Sequence, residues 1–416
     1  MGLQVHAAFA CGIVQRNQHP CLCVLAAVGL WNFLVAGTMK SFGLFYLEWL
    51  ELYGESPVTT SWVGSLFCLL LTIGGIFSAI VDTPILNLLS LYFKNRRALA
   101  SGIAFSGSSV GGLVLPLLIG WANEKYSVRG SVMLLGGLWL NVLVVGAVMF
   151  PLPSTTKLDT ITYEVEENEA IGTLDPDAHS KESTYQAPGS KPAEEVTGTG
   201  LRAFCIQGLR EAVQFFQIPH LLSLMLTALT ASFGYYNQFF ILPPFVTEIG
   251  MTKRTASWII ASISIIELFS RILVGIVADR LKRRKVWIPF IGLVVSFAAG
   301  LVVSLVPSRN LIFAYIPFFG LFGGVFSPLV IPLMVELVPS ERIGTATGLY
   351  PLLVGTGTAV GIPLLGVMYE KTSSYQPCFL VCISTYLVAI VCLTVHMFRN
   401  VVFVPKSKSL NASYPA

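Results

Sequence analysis

Glu267 and Arg271 stand four residues apart in the middle of an apolar run, Ser257 to Lys285. Positions i and i+4 share a helix face, so the carboxylate and the guanidinium can pair. The run has about 23 apolar residues before its basic end, enough to cross a hydrocarbon core of roughly 30 Å. A charge at that depth costs about 2.5–3.5 kcal/mol on insertion scales, which is why such residues face a bundle interior and mark a solute or proton path. Arg271 suits an organic carboxylate because its planar fork offers two parallel hydrogen bonds. Glu267 offsets its resting charge. The alternative reading of the pair is an ion pair that only holds helices in register.

Lys40 is the third candidate. It lies nine residues before Trp49, roughly 13 Å below the outer end of its helix and too deep for easy snorkelling. Burial disfavours a charged ammonium, which makes Lys40 a reversible proton site; the alternative is a lysine held by lipid phosphate or a carbonyl. With Lys40 neutral the three groups sum to zero. One proton leaves a single positive charge, matched by one monocarboxylate.

The elements that must position these groups are transmembrane helices. The 416 residues are 54% hydrophobic and only 12% charged, far below the charge content of a soluble domain. Apolar segments of spanning length run at 22–48, 60–82, 98–121, 130–150, 217–244, 255–279, 286–306, 311–336, 343–368 and 377–398. The expected class is therefore all-α and polytopic, with about ten crossings, four before a central loop and six after it. Of 26 Lys and Arg, 18 fall in segments assigned to the cytoplasm, 6 outside and 2 (Lys40 and Arg271) within the membrane. That asymmetry puts both termini in the cytoplasm.

Five domain-level segments follow: a cytoplasmic N-terminus at 1–21, a first bundle at 22–150, an acidic loop at 151–216, a second bundle at 217–400 and a tail at 401–416. The loop carries eleven acids against five bases and reads as disordered; its end, LRAFCIQGLREAVQFFQIP, could lie as an amphipathic surface helix. Residues 1–20 lack the pattern of a cleaved signal, so the first crossing directs insertion. The eight Cys show no metal or redox spacing. No metal, cofactor or nucleic-acid partner is implied. The sequon at Asn411 is discounted, since a cytoplasmic tail does not meet the glycosylation machinery.

An internal repeat is visible. RRALASGIAFSGSSVGGLVLPLLIGWANEKYS (96–127) reads against RIGTATGLYPLLVGTGTAVGIPLLGVMYEKTS (342–373), implying two halves with the same helix order. Four crossings precede the second copy within its half and only two precede the first. About two crossings are therefore missing near Val81–Thr83.

YFKNRRALASGIAFSGSSVGG (92–112) resembles a signature of the monocarboxylate transporter family of the major facilitator superfamily. TMKSFGLFYLEW (38–49) is similar to that family's opening helix with its intramembrane lysine, VRGSVMLLGGLWLNVLVVGAVM (128–149) to its sixth helix, and GIVADRLKRR (275–284) to the superfamily's short-loop motif; Glu267 and Arg271 match the acid and arginine of its eighth helix. The resemblance implies a two-bundle carrier of small organic acids, proton-coupled, by alternating access in the plasma membrane. It also allows proton-independent solutes. Two departures stand out. The family's acidic-Gly-Gly-Trp opening is replaced by QRNQHPCLC, and the third and most of the fourth of twelve crossings are absent. A single-pass immunoglobulin-like glycoprotein, the family's usual companion, docks on the third and sixth helices and is not assumed here.

Position assigns supporting roles. Asp279, Arg280, Arg283 and Arg284 form a gating and capping cluster at a cytoplasmic helix end, or a solvated topology anchor; Arg96 and Arg97 read mainly as an anchor. Gly102, Gly107, Gly111 and Gly112 are spaced for close helix contact and sliding. Tyr235, Tyr236, Phe239 and Phe240 line the path or face lipid. Glu336 reads as a helix-end residue rather than a proton carrier. The main rival function is a truncated, transport-incompetent isoform that acts only by binding; an enzyme lacks any placed nucleophile or cofactor motif.

Overall fold

The computed structural model describes residues 19–69, 96–142, 219–281, 284–338 and 343–403, all helical or in short connections, with no strand among them. The helices are α1 (His19–Tyr53), α2 (57–69), α3 (Arg97–Trp139), α4 (Pro219–Glu248), α5 (Lys253–Leu281), α6 (Trp287–Leu305), α7 (Arg309–Phe318), α8 (Phe326–Val335), α9 (Ile343–Thr372) and α10 (Tyr375–Phe403). They belong to one unit by their contacts. The proposed gap near Val81–Thr83, the central loop with its surface helix, the tail from 404 onward and Arg283 lie outside the described residues.

Seven helical runs among the described residues are long and apolar enough to span a membrane. α4 is not one of them, although it is 30 residues long. Its Ser232, Tyr235, Asn237 and Gln238 lower its hydropathy, and all four are buried against other helices. Polar side chains lower mean hydropathy whether they face lipid or protein, and in α4 they face protein. Phe269 and Leu273 on α5 and Phe398 on α10 are by contrast 67%, 58% and 67% exposed, the outward apolar surface that lipid covers.

The crossing expected at 311–336 is present as one span-length run, Arg309–Met334, interrupted by a π-helical turn, Phe319–Gly323. Pro317 removes one amide from the ladder, and Gly320, Gly323 and Gly324 weaken helix propensity at the same place. The Ser270 hydroxyl of α5 donates to the Leu321 carbonyl within the turn. A π-turn stitched to its neighbour in this way often marks a functional position.

α3 covers the crossing expected at 98–121 and part of the one expected at 130–150, of which residues 143–150 lie outside the described residues; it is broken only at Ser127, whose φ is 62°. Ser373, at the equivalent position of the second repeat copy, has φ 52°. These two are the positive-φ non-glycine residues among those described. Each copy is thus a long helix ending in Glu-Lys-X-Ser, with the serine in a left-handed conformation that L-residues seldom adopt. The internal repeat extends to its turns.

α1 packs along α3, α3 along α5, and α4 along α10. The four α3 glycines divide between two neighbours. Gly107 and Gly111 lie against the backbones of Gly29, Phe33 and Gly37 on α1, while Gly102 lies against Arg271 and Gly275, and Gly112 against Ser264 and Lys40. A β-carbon at 107 would meet the Gly29 carbonyl, which cannot give way without moving a helix. Gly107→Val is expected to lower stability in detergent by about 1–3 kcal/mol through overpacking. Gly136, with no atom within 4 Å of a built β-carbon, is the matched control: Gly136→Ala should be neutral or better. Equal melting points for the two variants would contradict this packing.

A buried cation–carboxylate–cation site

Lys40 on α1, Glu267 and Arg271 on α5 and Tyr235 on α4 meet in the interior, brought together by three helices from distant parts of the chain. Lys40 is 0% exposed and Glu267 and Arg271 are each 1% exposed. The two carboxylate oxygens have different partners. Oε2 of Glu267 pairs with the Lys40 ammonium. Oε1 accepts from Nε of Arg271 at 2.9 Å, from its Nη2 and from the Tyr235 hydroxyl. Arg271 also donates through Nη1 to the Phe105 carbonyl of α3 and through Nη2 to the Tyr235 oxygen at 3.3 Å.

Such saturation is what burial demands, since an unpaired ion in low dielectric is far costlier than a paired one. The Lys40 ammonium lies 5.6 Å from the centre of the Tyr235 ring and 5.1 Å from that of Phe239, distances at which an aromatic face attracts a cation. Gly324, just after the π-turn, makes room for the carboxylate: a β-carbon there would collide with Oε1 of Glu267. Ser264 adds a buried hydroxyl with no hydrogen-bond partner in the structure. Ser264 touches the Lys40 stem across Gly112.

The seam between α1, α3 and α5 is closed at both ends. At one end Lys253 lies between Glu48, at 3.0 Å, and Glu51, at 2.6 Å. Glu48 and Lys253 of this bridge line a cavity of about 390 Å³ together with Leu44, Gly120, Trp121 and Ser257. Leu44 is one helical turn from Lys40. At the other end the Asp279 carboxylate accepts from the backbone amides of Ala98 and Leu99, at 3.1 and 3.0 Å. Arg96, the N-cap of α3, supplies no side-chain cap, so an acid from α5 satisfies the orphan amides and meets the positive end of the helix dipole.

Asp279 therefore caps a neighbouring helix, whereas Arg280, Arg284 and Arg96 are exposed. Arg97 is half-buried. Glu336 ends α8, as expected for a helix-end residue, and accepts from Lys285 at 2.6 Å.

Asp279→Asn keeps the shape but gives up the ionic part of two charge-assisted bonds. It should weaken the latch by about 1–3 kcal/mol. Amide hydrogen exchange in the first turn of α3 is the readout, with faster exchange at Ala98 and Leu99 expected. Unchanged exchange would show that the latch is not holding this end.

Nothing local in the sequence marks the phenol of Tyr235 as a bridge, the Phe105 carbonyl as an acceptor or Lys253 as a bridge between two acids. The π-turn does leave a signal, the spacing of Pro317, Gly320, Gly323 and Gly324.

Residues 23–208 and 224–413 match the family model of the Major Facilitator Superfamily. The chain belongs to that superfamily. Its similarity to monocarboxylate transporters covers most of its length. Monocarboxylate transporter 12 of Rattus norvegicus is 27% identical over 373 residues, 89% of this chain and 70% of that protein. The Homo sapiens protein of the same name is 27% identical, covering 78% of this chain and 61% of the relative. Monocarboxylate transporter 2 of Meriones unguiculatus is 25% identical, covering 79% and 67%. The chain thus spans about 61–70% of the length of these relatives.

Among solved structures, a peptide transporter POT in complex with sulfate superposes with a TM-score of 0.54 at 14% identity, over 95% of this chain and 97% of that one. That likeness concerns the fold. The relatives and the structural neighbour are transporters, and the chain is a multi-pass membrane protein of the Major Facilitator Superfamily.

Proposed function

We propose that this protein is a secondary carrier of small monocarboxylates of the lactate and pyruvate type, coupled to protons and working by alternating access in the plasma membrane. Ten crossings, four and six, form its two bundles, with both termini cytoplasmic. The observation that carries the reading is the buried Lys40–Glu267–Arg271 cluster, in which one carboxylate is held by two cations contributed by different halves of the chain.

An incoming carboxylate can take the place of Glu267 on the fork of Arg271. Glu267 then remains with Lys40, and the site as a whole gains one negative charge. The accompanying proton is taken up by Lys40, which is neutral in the empty site, so the added proton and carboxylate leave the sum at zero and the loaded and empty sites can both reorient across a low-dielectric path. Opening to either side requires release of one latch, Lys253 with Glu48 and Glu51 at one end or Asp279 with α3 at the other.

Uptake of labelled pyruvate by cells expressing the chain, at mildly acidic and mildly alkaline pH and with surface expression measured, tests this reading. Acid-stimulated uptake is the expected result. A second reading, a carrier-like protein that binds without transporting, is favoured by one observation: only two expected crossings precede the first repeat copy, against four before the second. Uptake that appears only when two helices are inserted near Val81–Thr83 would select that reading.

A further inference from the structure

We infer that Tyr235 is a positioning residue of the transport cycle, the partner that keeps Glu267 hydrogen-bonded while Arg271 is lent to the solute. The inference rests on the carboxylate reading of the site and adds a component that charge alone does not supply.

The geometry sets the requirement. Oε1 of Glu267 has three donors, Nε and Nη2 of Arg271 and the hydroxyl of Tyr235, while Oε2 has Lys40. A solute carboxylate that takes the Arg271 fork removes two of the three donors from Oε1. Without a third, that oxygen would be a buried anionic acceptor with no partner, and the exchange would be opposed by its desolvation. Tyr235 is already in place on the opposite side, from α4. Its oxygen also accepts from Nη2 of Arg271 at 3.3 Å, so the phenol touches both members of the pair and need not move as they part.

The phenol is well fixed for this role. Tyr235 is 4% exposed, with its ring edge-on to Tyr236 at 5.0 Å and to Phe239 at 5.2 Å, and tilted against Phe319 of the π-turn at 5.8 Å. The charged and titratable groups that face it are Lys40 from α1, Glu267 and Arg271 from α5, and Tyr236 from its own helix. None of the others can replace its hydroxyl at Oε1 once Arg271 is engaged, because Lys40 is committed to Oε2.

Tyr235→Phe removes the hydroxyl and keeps the ring, and with it the contacts to Lys40, Phe239 and Phe319. Pyruvate uptake kinetics should then show KM raised about tenfold or more, the value of a hydrogen bond to a charged group, with Vmax within about twofold. Tyr315→Phe is the structural comparison: it removes another buried phenol, one that donates to Gln238 at 3.0 Å, and should leave KM unchanged.

Loss of uptake in Arg271→Ala together with an unchanged KM in Tyr235→Phe overturns the tyrosine assignment alone, as does an equal rise in both tyrosine variants. Should Tyr235→Phe not reach the membrane, 3-fluorotyrosine placed at 235 keeps the shape and changes the strength of the donor; a KM that does not move overturns the assignment. If the unsubstituted protein neither transports pyruvate nor is thermally stabilised by it after purification, the carboxylate reading falls and this inference with it.

Discussion

Arg271→Ala is expected to reduce pyruvate uptake at least a hundredfold while leaving the protein folded and at the cell surface. The fork of Arg271 is the group in the site able to bind a carboxylate through two parallel bonds, and each charge-assisted bond lost is worth about 1.5–3 kcal/mol. Two such bonds exceed a factor of a hundred. Folding should survive because the remaining Lys40 and Glu267 still form a neutral pair. Arg271→Lys should recover little, since an ammonium on a shorter stem cannot reach Glu267 Oε1, Tyr235 and the Phe105 carbonyl together. Dose–response curves for the two variants, normalised to surface protein, give the result. Uptake near normal in Arg271→Ala would remove the site from the mechanism.

The second large effect falls on stability rather than transport. Glu267 is the one anion between two buried cations. Replacing either cation by methionine leaves a balanced pair, whereas Glu267→Gln leaves Lys40 and Arg271 as like charges in a site with almost no exposure. Breaking a buried pair by removing one partner costs about 3–5 kcal/mol, and here two ions lose their partner at once. Thermal unfolding of purified protein in detergent should therefore rank Glu267→Gln as much the least stable, with Lys40→Met and Arg271→Met close to the parent. The double variant Glu267→Gln with Lys40→Met should regain part of the loss, because one of the two unpaired ions has gone. An equal effect for all three single variants would show that the cluster does not behave as one balanced network.

The same charge arithmetic bears on motion. With Lys40 unprotonated the empty site is neutral, and a proton on Lys40 together with one bound carboxylate keeps it neutral, so that neither state is trapped by its own desolvation cost. The glycine contacts of α3 with α1 and α5 bring backbones close without interlocking side chains, which suits helices that shift relative to one another. The latches are likewise few and polar. Each joins an element of the first half to α5, so release of one end leaves the other intact.

The superfamily came from the resemblance of its motifs; composition and spacing were sufficient for the membrane class and for three charged residues that turn out to be neighbours. The reason is energetic. A charge within an apolar run is so costly that it has to be compensated, and Glu267 and Arg271, four residues apart, name each other. The repeat, too, was legible as far as the serines that close each copy, because a turn needing a left-handed residue is constrained locally. What the chain order could not convey was which distant helix supplies the third and fourth partners. Lys40 lies 227 positions from Glu267, and Tyr235 was one aromatic among several on an apolar helix, with nothing local to separate a bridging phenol from one facing lipid. The Asp279 cap on α3 and the Lys253 bridge were hidden for the same reason: each pairs a side chain with a group far away in sequence. Local pattern determined what had to be buried; only the packing of helices decided against what.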